Sequence, residues 1–119
     1  MYRISLIIGE VYQKYLPLAE QNRVQLNLDL GENNEQVDNP KEIQQELEKH
    51  LDSALQRSAQ GEITVSIKNH QIVITDSGTV LSGPICALLS KGRVTVKSRV
   101  GFGTSVRINL EGSASEPNK

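Results

Sequence analysis

The chain has 119 residues, a net charge of −1 and 23% charged residues, a length that supports one hydrophobic core and not two. Acids and bases are interspersed, so there is no basic stripe for nucleic acid and no acidic block of the kind that stays disordered. Aromatics are only 3%, with no Trp and one Phe; base-stacking platforms are not expected, and the core falls to Ile, Leu and Val.

Cys86 is alone, which excludes an internal disulfide and any Cys-based metal spacing. No apolar run is long enough for a bilayer, and Met1-Tyr2-Arg3 lacks a signal-peptide pattern. The expected location is the cytoplasm, without membrane insertion.

In chain order, Ile4, Ile7, Ile8, Val11, Tyr15, Leu18 and Ala19 recur at helical spacing and predict an amphipathic helix over 5–21. Pro17 inside it removes an N–H and clashes one turn back, so a kink or break is expected near Gln13 to Leu16. Val24, Leu26, Leu28 and Leu30 alternate with polar residues and predict a half-buried strand. Gly31 to Glu35 reads as a polar loop. A second helix starts at Asn39 as cap and Pro40 as first residue, with Glu42 placed as a capping-box acid. Its buried stripe is Ile43, Leu47, Leu51, Ala54 and Leu55. After Gly61, the run Ile63, Val65, Ile67, a turn at Asn69-His70 and then Gln71 to Thr75 read as a β-hairpin. Ile85 to Leu89 predict a brief helix after Gly83-Pro84, stopped at Gly92. Val94 and Val96, then Val106, Ile108 and Leu110, give a final strand pair. Residues 112–119 read as a disordered tail, leaving a domain over 1–111.

This order predicts an α+β two-layer sandwich: a mixed, mostly antiparallel sheet covered on one face by about three helices. Two elements carry the chemistry. Ile74-Thr75-Asp76-Ser77-Gly78 is a β-branched run delivering a carboxylate to a turn. Gly101-Phe102-Gly103-Thr104 is a turn feeding the last strand. Either alone is an ordinary turn.

Together, and in this order along the chain, these elements resemble the catalytic domain of histidine kinases, within the GHKL (Bergerat-fold) ATPase superfamily. The resemblance runs from Ile4 to Leu110. It includes Tyr15-Leu16-Pro17-Leu18-Ala19, Asp38-Asn39-Pro40 before Ile43-Gln44-Gln45, Ser53-Ala54-Leu55, Gly61 to Val65, and Gly92 to Ser98 ahead of Gly101 to Thr104. It implies that Asp76 accepts from an adenine amino group, with Gly78, Gly101, Gly103 and Thr104 around the same nucleotide.

The departures fall on the phosphate side. Ser53 stands where the family carries the Asn that coordinates Mg²⁺, and Lys49 stands for a second Asn one turn earlier. Ser offers a shorter, neutral hydroxyl to a metal, whereas Lys49 can meet phosphate as a point charge. The plainer reading is an exposed Glu46–Lys49 pair three residues apart. Val80 replaces a glycine and would crowd a nucleotide. Between Leu81 and Gly92 the family's long lid and glycine-rich phosphate cradle are missing; Pro84 even lacks an N–H.

His50 invites a phospho-acceptor reading, but a lone His on an apolar flank carries no catalytic geometry and reads as structural. His70 reads as a turn residue. No metal spacing exists, and Cys86 reads as a small buried hydrophobe.

Three functions follow. In the first, a degenerate, lidless kinase-like domain serves as a regulatory or binding module in a phosphorelay. It would bind ATP or ADP weakly or not at all, hold Mg²⁺ poorly, and dock a kinase helical domain or a response regulator. In the second it is a minimal ATP-binding domain of a sensor kinase, and in the third an unrelated α+β interaction domain. The missing triphosphate grip predicts no autonomous kinase or ATPase activity.

Overall fold

The computed structural model describes residues 2–31, 36–57, 61–77 and 80–110. The tail expected over 112–119 lies outside them, as does Gly78. Helix α1 (Ile4–Gln21) follows a two-residue strand β1 (Tyr2–Arg3). Then come β2 (Gln25–Asp29), β3 (Gln36–Val37), α2 (Pro40–Arg57), β4 (Glu62–Lys68), β5 (Gln71–Asp76), α3 (Gly83–Leu89), β6 (Val94–Arg99) and β7 (Gly103–Asn109).

Five strands form one sheet in the order β2-β4-β5-β7-β6. The β2–β4 pair is parallel and the other three are antiparallel, so the sheet is mixed and mostly antiparallel. The β4–β5 hairpin turns on Asn69 and His70, both at positive φ (51° and 61°). Two left-handed residues in a two-residue loop match the twist of the flanking strands.

Register decides which residues face the helices. Ile63, Val65 and Ile67 of β4 pair with Asp76, Ile74 and Ile72 of β5. Those in turn pair with Thr104, Val106 and Ile108 of β7, which meet Ser98, Val96 and Val94 of β6. Side chains alternate across a strand, so each row lies on one face. Two rows are wholly apolar. They are buried against the stripes of α1 (Ile4, Ile7, Ile8, Val11, Tyr15, Ala19) and α2 (Ile43, Leu47, Leu51, Ala54, Leu55). The third row, Ile63–Asp76–Thr104–Ser98, turns polar at one end of this face.

Three local features depart from the sequence reading. Helix α1 runs through Pro17 without a break. Pro17 and Gln13 are both exposed, so the Gln13 carbonyl that loses an intrahelical partner faces water instead of the core. Strands β1 and β3 pair antiparallel, Tyr2 with Val37 and Arg3 with Gln36; two-residue strands are too short to show alternation. Helix α3 ends at Leu89, with Ser90 as its C-cap, whereas Gly92 (φ 58°) bends the chain into β6.

The start of α2 inverts the expected capping box. Asn39 Nδ2 donates to Glu42 Oε1 at 3.0 Å, while the Ile43 N–H reaches the Asn39 carbonyl at 3.2 Å. Arg93 Nη2 lies 3.1 Å from Glu42 Oε2. The Asn39 hydrogen bond, then the Arg93 charge, hold the Glu42 carboxyl below its ordinary range.

Candidate functional site

The polar row lies where β5, β7 and β6 end side by side. Asp76 ends β5 and is 3% exposed, and Thr104, its partner across the ladder, is 1% exposed. A β-branched strand ending in an acid, set against the first residues of β7, brings two distant sequence elements together.

Ser98 joins them from β6. Its Oγ lies 2.9 Å from Thr104 Oγ1 and 3.2 Å from the Gly103 carbonyl. It also accepts the Leu81 N–H at 2.8 Å. Either hydroxyl of the Ser98–Thr104 pair could be the donor, so the single Ser98 proton goes to the Gly103 carbonyl or to Thr104 Oγ1. The backbone that follows β5 is therefore fastened directly onto the Ser98–Thr104 pair. Sequence reasoning missed Ser98, because its role depends on a cross-strand register that no local motif encodes.

Gly101 and Gly103 shape the turn that carries Thr104. Both hold positive φ, 87° and 84°, a region open to glycine and strained for other residues. Gly103 has a second constraint. A Cβ there would collide with the Asp76 carbonyl oxygen and lie 3.1 Å from Ser77 Cα. The glycine is what lets β7 approach the end of β5.

Lys49 and Ser53 lie on α2. Lys49 is exposed and Ser53 half-buried. Lys49 lines a cavity of about 290 Å³ with Glu46, His50, Leu88, Leu89, Lys91 and Val94. Val94 stands four residues from Ser98 on β6, roughly 13 Å at the rise of a strand. The cavity that Lys49 lines includes neither Asp76 nor Thr104.

The Glu46–Lys49 pair is not what forms. Glu46 Oε1 lies 3.4 Å from His50 Nε2, one turn along. His50 is 5% exposed, a buried structural histidine as its sequence position implied. His70 sits in the hairpin turn. Cys86 is half-buried rather than buried, with Sγ 4.0 Å from the Leu81 carbonyl. Among the described residues no cluster of His, Cys, Asp or Glu could hold a metal ion, and no helix is long and apolar enough to cross a membrane.

Helix α3 closes the space beside α2. Ser82 caps it, its Oγ accepting from the Ile85 N–H at 3.4 Å, and Pro84 occupies its first turn. Ser90 Oγ donates to the Cys86 carbonyl at 2.8 Å and accepts the Val96 N–H at 2.9 Å, tying the helix end to the edge of β6. Leu81, Cys86 and Leu89 pack against the core, whereas Ile85 and Leu88 stay exposed.

No protein-family model and no curated protein sequence matches the chain. Solved structures do. The chain is similar to the catalytic domain of histidine kinase ThkA, at 12% identity and a TM-score of 0.75, covering 92% of this chain and 94% of that one. It is similar to the cytoplasmic segment of histidine kinase QseC at 16% identity and a TM-score of 0.74, over 91% of this chain and 70% of that one. A mycobacterial sensor histidine kinase, MprB, matches at 15% identity and a TM-score of 0.61, over 85% and 91% of the two chains. The fold is that of histidine-kinase catalytic domains, as the sequence resemblance implied.

Proposed function

We propose that this chain is a degenerate histidine-kinase-type domain. It serves two-component signalling as a regulatory or binding module and takes adenine nucleotide weakly or not at all. The observation carrying this reading is the Leu81–Ser98–Thr104 fastening. Ser98, in the row that resembles an adenine-facing site, bonds to the Leu81 and Gly103 backbone and lies 2.9 Å from Thr104 Oγ1. Lys49 stands apart from that row, and Ser53 offers a poor Mg²⁺ ligand. Phosphoryl transfer works by positioning and charge neutralisation of a triphosphate, and neither is supplied here.

The partners that fit such a module are a kinase helical domain or a response regulator in the cytoplasm. One of the similar structures is histidine kinase ThkA in complex with the response regulator TrrA.

The second reading, a minimal ATP-binding domain, is favoured by one feature. Lys49 and Lys91 border the same cavity under α3, where two cations could meet phosphate. Calorimetric and NMR titrations with ATP and ADP, with and without Mg²⁺, separate the two. The degenerate reading predicts no saturation below about 1 mM, an affinity worth only about 4 kcal/mol, and no effect of Asp76→Asn. Saturable tighter binding that Asp76→Asn abolishes would replace it with the second reading.

A further inference from the structure

Among the described residues no helix lies on the other face of the sheet, and the cations gather toward β6 and β7. Asp29 on β2 and Glu62 on β4 stand with one cation, Lys68, at the other end of β4, whereas Lys97, Arg99 and Arg107 stand on β6 and β7. The alternation that points Val96 and Val106 into the core points Lys97 and Arg107 away from it. β2 and β6 are the two edges, four strand spacings or roughly 19 Å apart. That puts Asp29 beyond the Debye length of about 8 Å at physiological salt, whereas Glu62 on β4 is two strands from β7 and shares a small cavity with Thr75 and Phe102.

The basic half is grooved. A cavity of about 350 Å³ is lined by Thr75, Lys97, Arg99, Phe102, Ser105 and Arg107. Its floor lies over Gly103, which has no side chain and tolerates none. Arg99 sits 4.9 Å above the Phe102 ring, and that ring is 74% exposed, next to Val100 at 86%. Ser105 Oγ is buried without a hydrogen-bond partner. Arg107 Nη1 donates to Gln71 Oε1 at a long 3.4 Å. Among the described residues none of the three cations is paired with a carboxylate.

We propose that this half-face docks an acidic, extended protein segment, whose carboxylates meet Lys97, Arg99 and Arg107 and whose apolar residue rests on Phe102. Arginine forks match carboxylates, an orphan hydroxyl offers a further bond, and the exposed ring supplies a desolvated anchor. The placement of charge chooses the occupant. A flat anionic bilayer or a duplex laid across the sheet would meet Asp29 and Glu62 together, whereas one strand of peptide along β6 and β7 meets the three cations, with Glu62 beside Phe102 at one end of its path. One aromatic is too few to stack a run of bases. This surface is on the opposite side of the sheet from the Asp76 carboxylate, and the proposal stands whether or not nucleotide binds.

The test titrates the full chain with a labelled peptide of about ten residues, enough to span β6, composed of Glu and Asp with one central Leu. Phosphatidylserine vesicles and an oligothymidylate run in parallel. The expected result is amide shifts confined to residues 75, 97–99 and 102–107, and affinity that falls about tenfold or more as salt rises. Lys97→Gln with Arg107→Gln should abolish binding while Lys68→Gln leaves it unchanged. Phe102→Ser should weaken the Leu-bearing peptide several-fold but not the same peptide with Ser in place of Leu. Melting curves matching the parent show that each variant is folded. Shifts elsewhere, no peptide binding at millimolar concentration, or tighter binding of vesicles or oligothymidylate to the same residues would overturn the proposal.

Discussion

Ser98→Ala is the sharpest probe of how the chain closes over its own site. The substitution keeps β6 in register and its Cβ in place, removing one oxygen. That oxygen accepts the Leu81 N–H at 2.8 Å and lies 2.9 Å from Thr104 Oγ1 and 3.2 Å from the Gly103 carbonyl. A net hydrogen bond contributes about 0.5–1.5 kcal/mol. Ser98 is half-buried, so water replaces part of what is lost. The expected destabilisation is about 1.5–3 kcal/mol rather than the full sum.

Distribution of the loss matters more than its size. If Ser98 fastens the segment after β5, then Leu81 and the first amides of α3 gain a local opening route. Their hydrogen exchange should accelerate roughly 10- to 100-fold, since about 1.4 kcal/mol is tenfold. The amides of Ile74 and Val106 should change only by the global shift. Urea unfolding gives the global value and NMR-detected exchange gives the local one. Unchanged protection at Leu81, or acceleration equal at Leu81 and Ile74, would refute the idea that this hydroxyl holds the segment down.

Two other perturbations test neighbouring arguments. Gly103→Ala meets both a strained φ of 84° and the backbone of Asp76; it should cost about 3 kcal/mol or more, or displace β7 from β5, as read by urea unfolding and by nuclear Overhauser contacts between Asp76 and Thr104. Tyr15 is pushed up to about 12, first by burial and then by its hydrogen bond to Asp52 and the Asp52 and Glu48 charges. Below pH 10 the phenol is protonated folded and unfolded alike, and its share of stability is intact. Above 10 the unfolded chain ionises first, so on the order of 2–3 kcal/mol is lost between pH 10 and 12. Tyr15→Phe should lack that alkaline loss, and equal pH slopes for variant and parent in urea unfolding would refute it.

Sheet and helices were legible because their signals are local and periodic. Ile63-Val65-Ile67 and Ile72-Ile74 recur at period two on the rows that face the helices, and Ile43, Leu47, Leu51 and Leu55 repeat at helical spacing on α2. Period alone then fixes which side faces inward. Pro17 misled because the rule concerns an unsatisfied carbonyl, and the sequence does not say that Gln13 faces water. Strands β1 and β3 stayed hidden because their pairing is made by residues more than thirty positions apart. The Glu46–Lys49 pair failed as well. Glu46 had two neighbours at helical spacing, and its Oε1 lies 3.4 Å from His50 Nε2 instead of meeting Lys49.

At the site, the pieces legible in the sequence are those whose chemistry is backbone chemistry. Gly103 had to be glycine for a reason of φ and close approach, and Asp76 with Thr104, flagged by their turn motifs, meet where the antiparallel pairing sets the end of β5 against the start of β7. Ser98 belongs to the other class. A serine on a half-buried strand is unremarkable until Leu81 is seen to end its path against it. That difference sharpens the functional argument. Losing a metal ligand or a lid could leave an open, empty site, and such a site would still admit nucleotide at low affinity. A hydroxyl bonded to its own chain is different in kind, because a ligand that needs those groups must first break a bond the fold has made. Under the proposed reading the fold itself then stands against nucleotide, and Leu81 has a structural role at the entry to α3.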